Sequence, residues 1–253
     1  MVIRPDQYPS CRLIIILMTR SSLTQLVTSF CFVAMALRAS CSASAVAIIA
    51  SPHLVVMAAD SRMVTWQKSG AESSASPSCK VGISTNFVWA WAGTEAKEFD
   101  VKDFIKRADM APGTVKEQAD QFVDSARPVL KKILWNEEGI TVAFAAFRKG
   151  KLQLSVRTIS KNAKDGFAMP LKEQYDCAPC ENVPPIEFGS SFEAEKEWSK
   201  NPESFDLSNP VHMAKQFIER EIENDRKYVG PPISVLILTP QGGPKWVENG
   251  LCK

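Results

Sequence analysis

The stretch CSASAVAIIASPHLVVMAADSR, residues 41–62, gathers residue types that catalysis uses. Apolar runs at 46–49 and 54–59 flank the turn-forming Ser51-Pro52-His53, and the second run stops at Asp60-Ser61-Arg62. This pattern predicts a hairpin of two buried strands. With the turn centred on Pro52, Ser44 falls opposite Asp60 in an antiparallel ladder, so a hydroxyl and a carboxylate share one face at the open end. The chemistry open to such a pair is nucleophilic. A serine hydroxyl becomes reactive when a base within reach takes its proton. If Ser44 begins the mature chain, its own α-amino group, with a pKa of about 8, can be that base. The chain has two histidines, His53 in the hairpin turn and His212 among apolar helix positions. Both read as structural or exposed, so a histidine-based triad is the weaker arrangement.

A second candidate cluster is DCAPCE at 176–181, whose CxxC is either half a zinc site or a redox pair. A zinc site needs two further ligands, and neither a second CxxC nor a His pair is present, so a local structural bridge is the reading and no metal or cofactor is expected. Past residue 43 there are four cysteines, Cys79, Cys177, Cys180 and Cys252, an even number compatible with two bridges of undetermined pairing.

These residues must be positioned by a folded domain, and the composition allows one. The 253 residues are 45% hydrophobic and 23% charged, with a net charge of +2 spread without basic runs. Disordered and fibrous classes drop out, and nucleic acid is not an expected partner. From Met18 the text MTRSSLTQLVTSFCFVAMALRASCSASA has a basic start at Arg20, an apolar stretch at 26–37 and then small residues, the layout of a secretory signal peptide. Residues 1–43 are therefore read as a leader and 44–253 as one domain. The expected location is secreted or periplasmic, with no stable membrane insertion after leader removal. Three mature starts stay open: cleavage after Ala43 exposes Ser44, cleavage after Ala45 exposes Val46, and Cys41 is the third.

Along the domain, a polar loop at 67–78 precedes short strands at 80–83 and 87–91. The chain turns helical after Gly93, and a second helix starts at Thr114 with Val115, Ala119, Phe122, Val123 and Ala126 on one face. Pro128 is expected to kink or divide it. Residues 140–160 form a hairpin turning at Lys149-Gly150. A loop-rich stretch at 161–185 leads to a strand ending in IEFGSS. A helix capped by Ser208 or Asn209, with Pro210 in its first turn, buries Val211, Ala214, Phe217, Ile218 and Ile222. Strands at 233–238 and 245–247 close the chain. Strands, two helices, strands, a helix and strands imply an α+β fold of two antiparallel sheets with helices packed outside.

AVAIIASPHLVVMAADSR resembles the start of a proteasome beta subunit, of the N-terminal nucleophile hydrolase superfamily. The resemblance implies a four-layer αββα sandwich whose first mature residue is the nucleophile. Aligned on Ala58-Ala59-Asp60-Ser61-Arg62, Ser44 takes that position and Asp60 that of the supporting acid. Lys80 in SCKVGIS resembles the catalytic lysine, and Gly93 in WAWAGTEA the glycine whose N–H serves the oxyanion hole. FGSS carries Ser190 onto the supporting serine, with Ser191 where a glycine is usual, and Asp225 in ENDRKYVGPP sits near the last site aspartate. What the resemblance implies is an amidohydrolase acting on a peptide or small amide, exported by way of the leader, with a homo-oligomer left open. The competing class is a non-catalytic protein of the same fold with an assembly or binding role.

Overall fold

A computed structural model describes residues 44–66, 72–93, 99–133, 139–160, 174–181, 183–189, 193–226 and 228–252. The expected leader 1–43 lies outside them. The opening hairpin forms as β1 (Val46–Ser51) and β2 (Leu54–Ala59), joined by the two-residue turn Pro52-His53. A small two-stranded sheet of β3 (Arg62–Trp66) and β4 (Glu72–Pro77) follows in the chain. Next come β5 (Val81–Ile83), β6 (Val88–Gly93), and helices α1 (Val101–Met110) and α2 (Val115–Ile133). β7 (Gly139–Arg148) and β8 (Lys151–Ser160) make the long hairpin, with Lys149 and Gly150 both at positive φ in its turn. The remainder is β9 (Gln174–Cys177), β10 (Ile186–Phe188), α3 (Glu193–Lys200), α4 (Pro210–Asn224), β11 (Ser234–Thr239) and β12 (Gly243–Glu248).

Two five-stranded antiparallel sheets organise the chain, ordered β10-β1-β2-β11-β12 and β5-β6-β7-β8-β9. Side-chain alternation explains their packing, because successive residues of a strand point to opposite faces. Val46, Ile48 and Met57 on the first sheet share a buried cluster with Val81, Ala92 and Leu154 of the second. The opposite face of the first sheet, Ala47, Val56 and Ala58, packs on Phe217 and Ile218 of α4. On the second sheet, Trp89, Trp91 and Phe144 pack on Phe104 of α1 and Phe122 of α2. Helices α1, α2 and α4 each cover one sheet face, and the amphipathic spacing of α2 and α4 makes them readable in the sequence.

Two disulfides form among the described residues, Cys79–Cys252 and Cys177–Cys180. Their loops differ greatly, with sequence separations of 173 and 3. On the loop-entropy account the first destabilises the unfolded chain by about 5 kcal/mol and the second by about 2 kcal/mol.

The structure departs from the sequence expectations at four places. The turn is centred between Pro52 and His53, not on Pro52, because Ser51 pairs with Leu54; Ala45, not Ser44, therefore comes level with Asp60. The polar stretch before Ser78 is not all loop, since β4 pairs with β3. Pro128 sits inside a continuous α2, so it does not divide the helix. Helix α3 has no counterpart among the expected elements: it carries five charged residues in eight and only Ala194 is buried, so it lacks an apolar stripe.

Candidate functional site

At the open end of the β1–β2 hairpin the ladder closes on itself through Asp60. Its N–H donates to the Ala45 carbonyl at 3.1 Å, and its Oδ1 accepts the Ala45 N–H at 2.8 Å. Oδ2 accepts the N–H groups of Arg62 at 2.9 Å and Gly230 at 3.2 Å. Lys80 then reaches Oδ1 with its Nζ at 2.7 Å, both side chains being fully buried. The ammonium also donates to the Arg62 carbonyl. A buried carboxylate is costly unless its charge is matched and its lone pairs are filled. Four donors, one of them cationic, do this for Asp60.

The elements that supply these donors explain why the pair forms. Lys80 immediately precedes β5, and its carbonyl accepts the N–H of Trp91 in β6 at 2.9 Å, which pins the residue to the second sheet. Its neighbour Cys79 is bridged to Cys252. The carboxylate belongs to the first sheet, so the ion pair ties the two sheets together where β2 ends. Gly230 arrives from the turn after α4, where the Asp225 carbonyl accepts the N–H groups of Tyr228 at 3.0 Å and Val229 at 2.9 Å.

Ser44 is 1% exposed and lies immediately before the residue whose N–H Asp60 holds. Val46 and Ile48 face the layer between the sheets and Ala45 and Ala47 face α4, so alternation places Ser44 on the inter-sheet side. Gly189, just past β10, crosses Ser44 closely. A Cβ built there would lie 2.3 Å from the Ser44 carbonyl oxygen and 2.7 Å from Cβ of Ala92, at a φ of +116°. Only glycine allows this approach, which brings the end of β6 alongside Ser44. Gly93, the next residue, has a φ of +125°, and a Cβ there would meet the Gly139 carbonyl at 2.3 Å.

Of the six sequence-derived candidates, the structure brings Asp60 and Lys80 into direct contact and sets Ser44 one residue from their shared anchor. Gly93 ends the strand beside Ser44. Asp225 caps α4 at the start of the turn that delivers Gly230. Ser190 and Ser191 lie outside the described residues. Both histidines are exposed, and His212 Nδ1 pairs with Asp206 at 3.0 Å, far in the sequence from this cluster. Gly189, Gly230 and Ser61 were not singled out beforehand. Continuing the register two steps beyond Val46 and Ala59 sets Ser61 opposite Ser44, and its buried Oγ has no hydrogen-bond partner among the described residues. Glycine in a sequence carries no mark of which backbone it must let past, so Gly189 and Gly230 had no local signal beyond FGSS and VGPP.

Among the described residues no group of acidic, His and Cys side chains is arranged to hold a metal, and no helix is long and apolar enough to cross a membrane. No family model matches the sequence, and no curated protein matches it either. Solved structures do. Anbu, an ancestral beta-subunit from Yersinia bercovieri, superposes with a TM-score of 0.53 at 15% identity over 81% of this chain and 86% of that one. Anbu from Hyphomicrobium sp. strain MC1 gives 0.53 at 12% identity over 81% and 87%. BPH of Thiobacillus denitrificans, solved in complex with epoxomicin, gives 0.51 at 14% identity over 78% and 99%. The fold is therefore proteasome-like.

Proposed function

We propose that this chain is an exported hydrolase of the N-terminal nucleophile type, which in a four-layer αββα arrangement cleaves the amide bond of a peptide or small amide through an acyl-enzyme on Ser44. The observation that carries the reading is the buried Asp60–Lys80 pair anchored on the N–H of Ala45, the residue after the proposed nucleophile. A buried ion pair is a poor source of stability compared with apolar packing, so its presence at this point favours a chemical role.

The proposed sequence of events begins with removal of residues 1–43, which leaves Ser44 with a free α-amine. The Lys80 ammonium disfavours protonation of that amine, and Asp60 fixes the ammonium and balances its charge. The neutral amine takes the proton from Ser44 Oγ as it attacks the substrate carbonyl. Backbone N–H groups at the Gly93 end of β6 receive the negative oxygen of the tetrahedral intermediate. The α-ammonium returns its proton to the leaving amine, giving a seryl ester. Water, deprotonated by the same α-amine, then releases the acid and regenerates Ser44. Ser190 and Asp225 are assigned supporting positions around the nucleophile, and no cofactor or metal is required. Homo-oligomerisation is part of the proposal, as is peptide-like substrate binding, which the epoxomicin complex of BPH favours by likeness of fold.

The test is covalent labelling. The mature protein is incubated with epoxomicin or a small sulfonyl fluoride, and its intact mass and N-terminal peptide are measured. The expected result is one adduct on the peptide beginning at Ser44, lost in Ser44→Ala. A correctly processed, folded protein that takes up neither reagent contradicts the proposal and leaves the non-catalytic reading.

A further inference from the structure

The CxxC lies at the end of β9, on the edge of the second sheet. Cys177 pairs with Leu154 of β8, and the Cys180 N–H donates to the Leu152 carbonyl at 3.0 Å, so both cysteines are tied to one rigid strand. They form a disulfide that closes a loop of only four residues, which restricts the unfolded chain less than half as much as Cys79–Cys252 does. The bridge is unequal. Cys180 is 1% exposed within the apolar layer, whereas Cys177 is partly exposed. Ala178 and Pro179, the two residues between the sulfurs, form one wall of a surface groove of about 450 Å³. Its other walls are Arg148, Lys149, Lys151 and Gln153. Three cations and no carboxylate line it. Arg148 gives one guanidinium N–H to the Asn86 carbonyl, but its buried Nε has no partner among the described residues. Nearby acids do not cancel this charge: Asp176 is taken up by Arg157 at 2.8 and 3.0 Å, leaving the exposed Glu181.

We propose that Cys177–Cys180 is a redox-active disulfide, exchanging with low-molecular-weight thiols that carry carboxylates and are drawn into the cationic groove. The step balances as thiol–disulfide exchange. The reductant thiolate attacks Cys177 Sγ, the accessible sulfur. The S–S bond breaks, and Cys180 leaves as a thiolate that takes a proton. A second reductant thiolate attacks the mixed disulfide, forming the small-molecule disulfide and freeing the Cys177 thiolate. Two thiols are oxidised by two electrons and the protein disulfide becomes a dithiol. In that dithiol the partly exposed Cys177 is the sulfur that meets a further disulfide first, and the buried Cys180 serves as the resolving thiol. Neither this site nor its chemistry depends on Ser44.

The experiment treats the oxidised full protein with glutathione, neutral 2-mercaptoethanol or cationic cysteamine at matched thiolate concentrations. Samples are quenched with acid, alkylated and mapped by mass spectrometry. The expected result is opening of Cys177–Cys180 before Cys79–Cys252, a trapped glutathione adduct on Cys177, and a rate about tenfold faster with glutathione than with cysteamine at low salt. Lys149→Gln with Lys151→Gln should remove most of that preference. Raising the salt on the unaltered protein should do the same, which keeps the test independent of the variant's folding. Equal rates for the three thiols, or opening of Cys79–Cys252 first, would overturn the proposal.

Discussion

Replacing Glu187 by Gln is expected to abolish most of the decline in stability between pH 5.5 and pH 8. Glu187 lies on β10 opposite Ala47 and points to the α4 side of the first sheet. Its Oε2 accepts the Glu195 N–H at 2.8 Å, while Oε1 of the fully buried Glu221 accepts the Ala194 N–H at 2.9 Å. Two carboxyls from different elements thus cap the first turn of α3. Oε1 of Glu187 has no hydrogen-bond partner among the described residues, so no donor compensates a negative charge on it. Burial, with the neighbouring Glu221 charge second, raises its pKa from 4.5 to about 9, against the pull of the Glu195 N–H; Glu195 itself adds a further negative charge. The folded state therefore keeps a proton that the unfolded chain loses above about pH 4.5. Stability is full below that value and falls as pH rises towards 9, by up to about 1.4 kcal/mol per pH unit. Between pH 5.5 and 8 this amounts to about 3 kcal/mol. Gln keeps the acceptor for the Glu195 N–H and a donor for Glu221, and it cannot ionise. Urea midpoints measured at half-unit pH steps, with the disulfides intact and m unchanged, read the difference directly. Parallel curves for the two proteins would refute the reasoning.

Three further outcomes follow from the site. Lys80→Met leaves the Asp60 carboxylate buried without its cation, so a loss of about 3–5 kcal/mol in denaturant unfolding is expected, together with loss of covalent labelling at Ser44. Gly189→Ala forces a Cβ onto the Ser44 carbonyl from a left-handed backbone, and should cost about 1–3 kcal/mol while cutting the labelling rate at least as severely as it cuts stability. Cys79→Ser with Cys252→Ser should lower the denaturant stability by about 2–5 kcal/mol, whereas Cys177→Ser with Cys180→Ser should change it far less.

The legible parts of the fold were those with a strong period. The β1–β2 hairpin, the Lys149-Gly150 turn and helices α2 and α4 announced themselves through apolar spacing, a capping Asn209 and Pro210. The hairpin register slipped by one residue because Ser51-Pro52-His53 offers two turn centres, and only the pairing of Ser51 with Leu54 decides between them. Helix α3 stayed hidden because its stability comes from two distant carboxyls at its first turn. The buried Glu221 shows the same limit: at the sequence level it sits among the charged residues of EREIEND and looks solvated, yet it is fully buried. Asp60 is legible from the end of the hairpin's second apolar run and Lys80 from likeness of motif alone, and their contact is not deducible from spacing. Their pairing depends on β5 crossing behind the end of β2, a long-range event.

Whether Ser44 can act as nucleophile with its own amine as base depends on which residue begins the mature chain. Intact mass and N-terminal sequencing of protein recovered from an exporting host measure it directly. The expected result is a chain starting at Ser44. A start at Val46, or a leader left in place, removes the paired hydroxyl and amine and contradicts it.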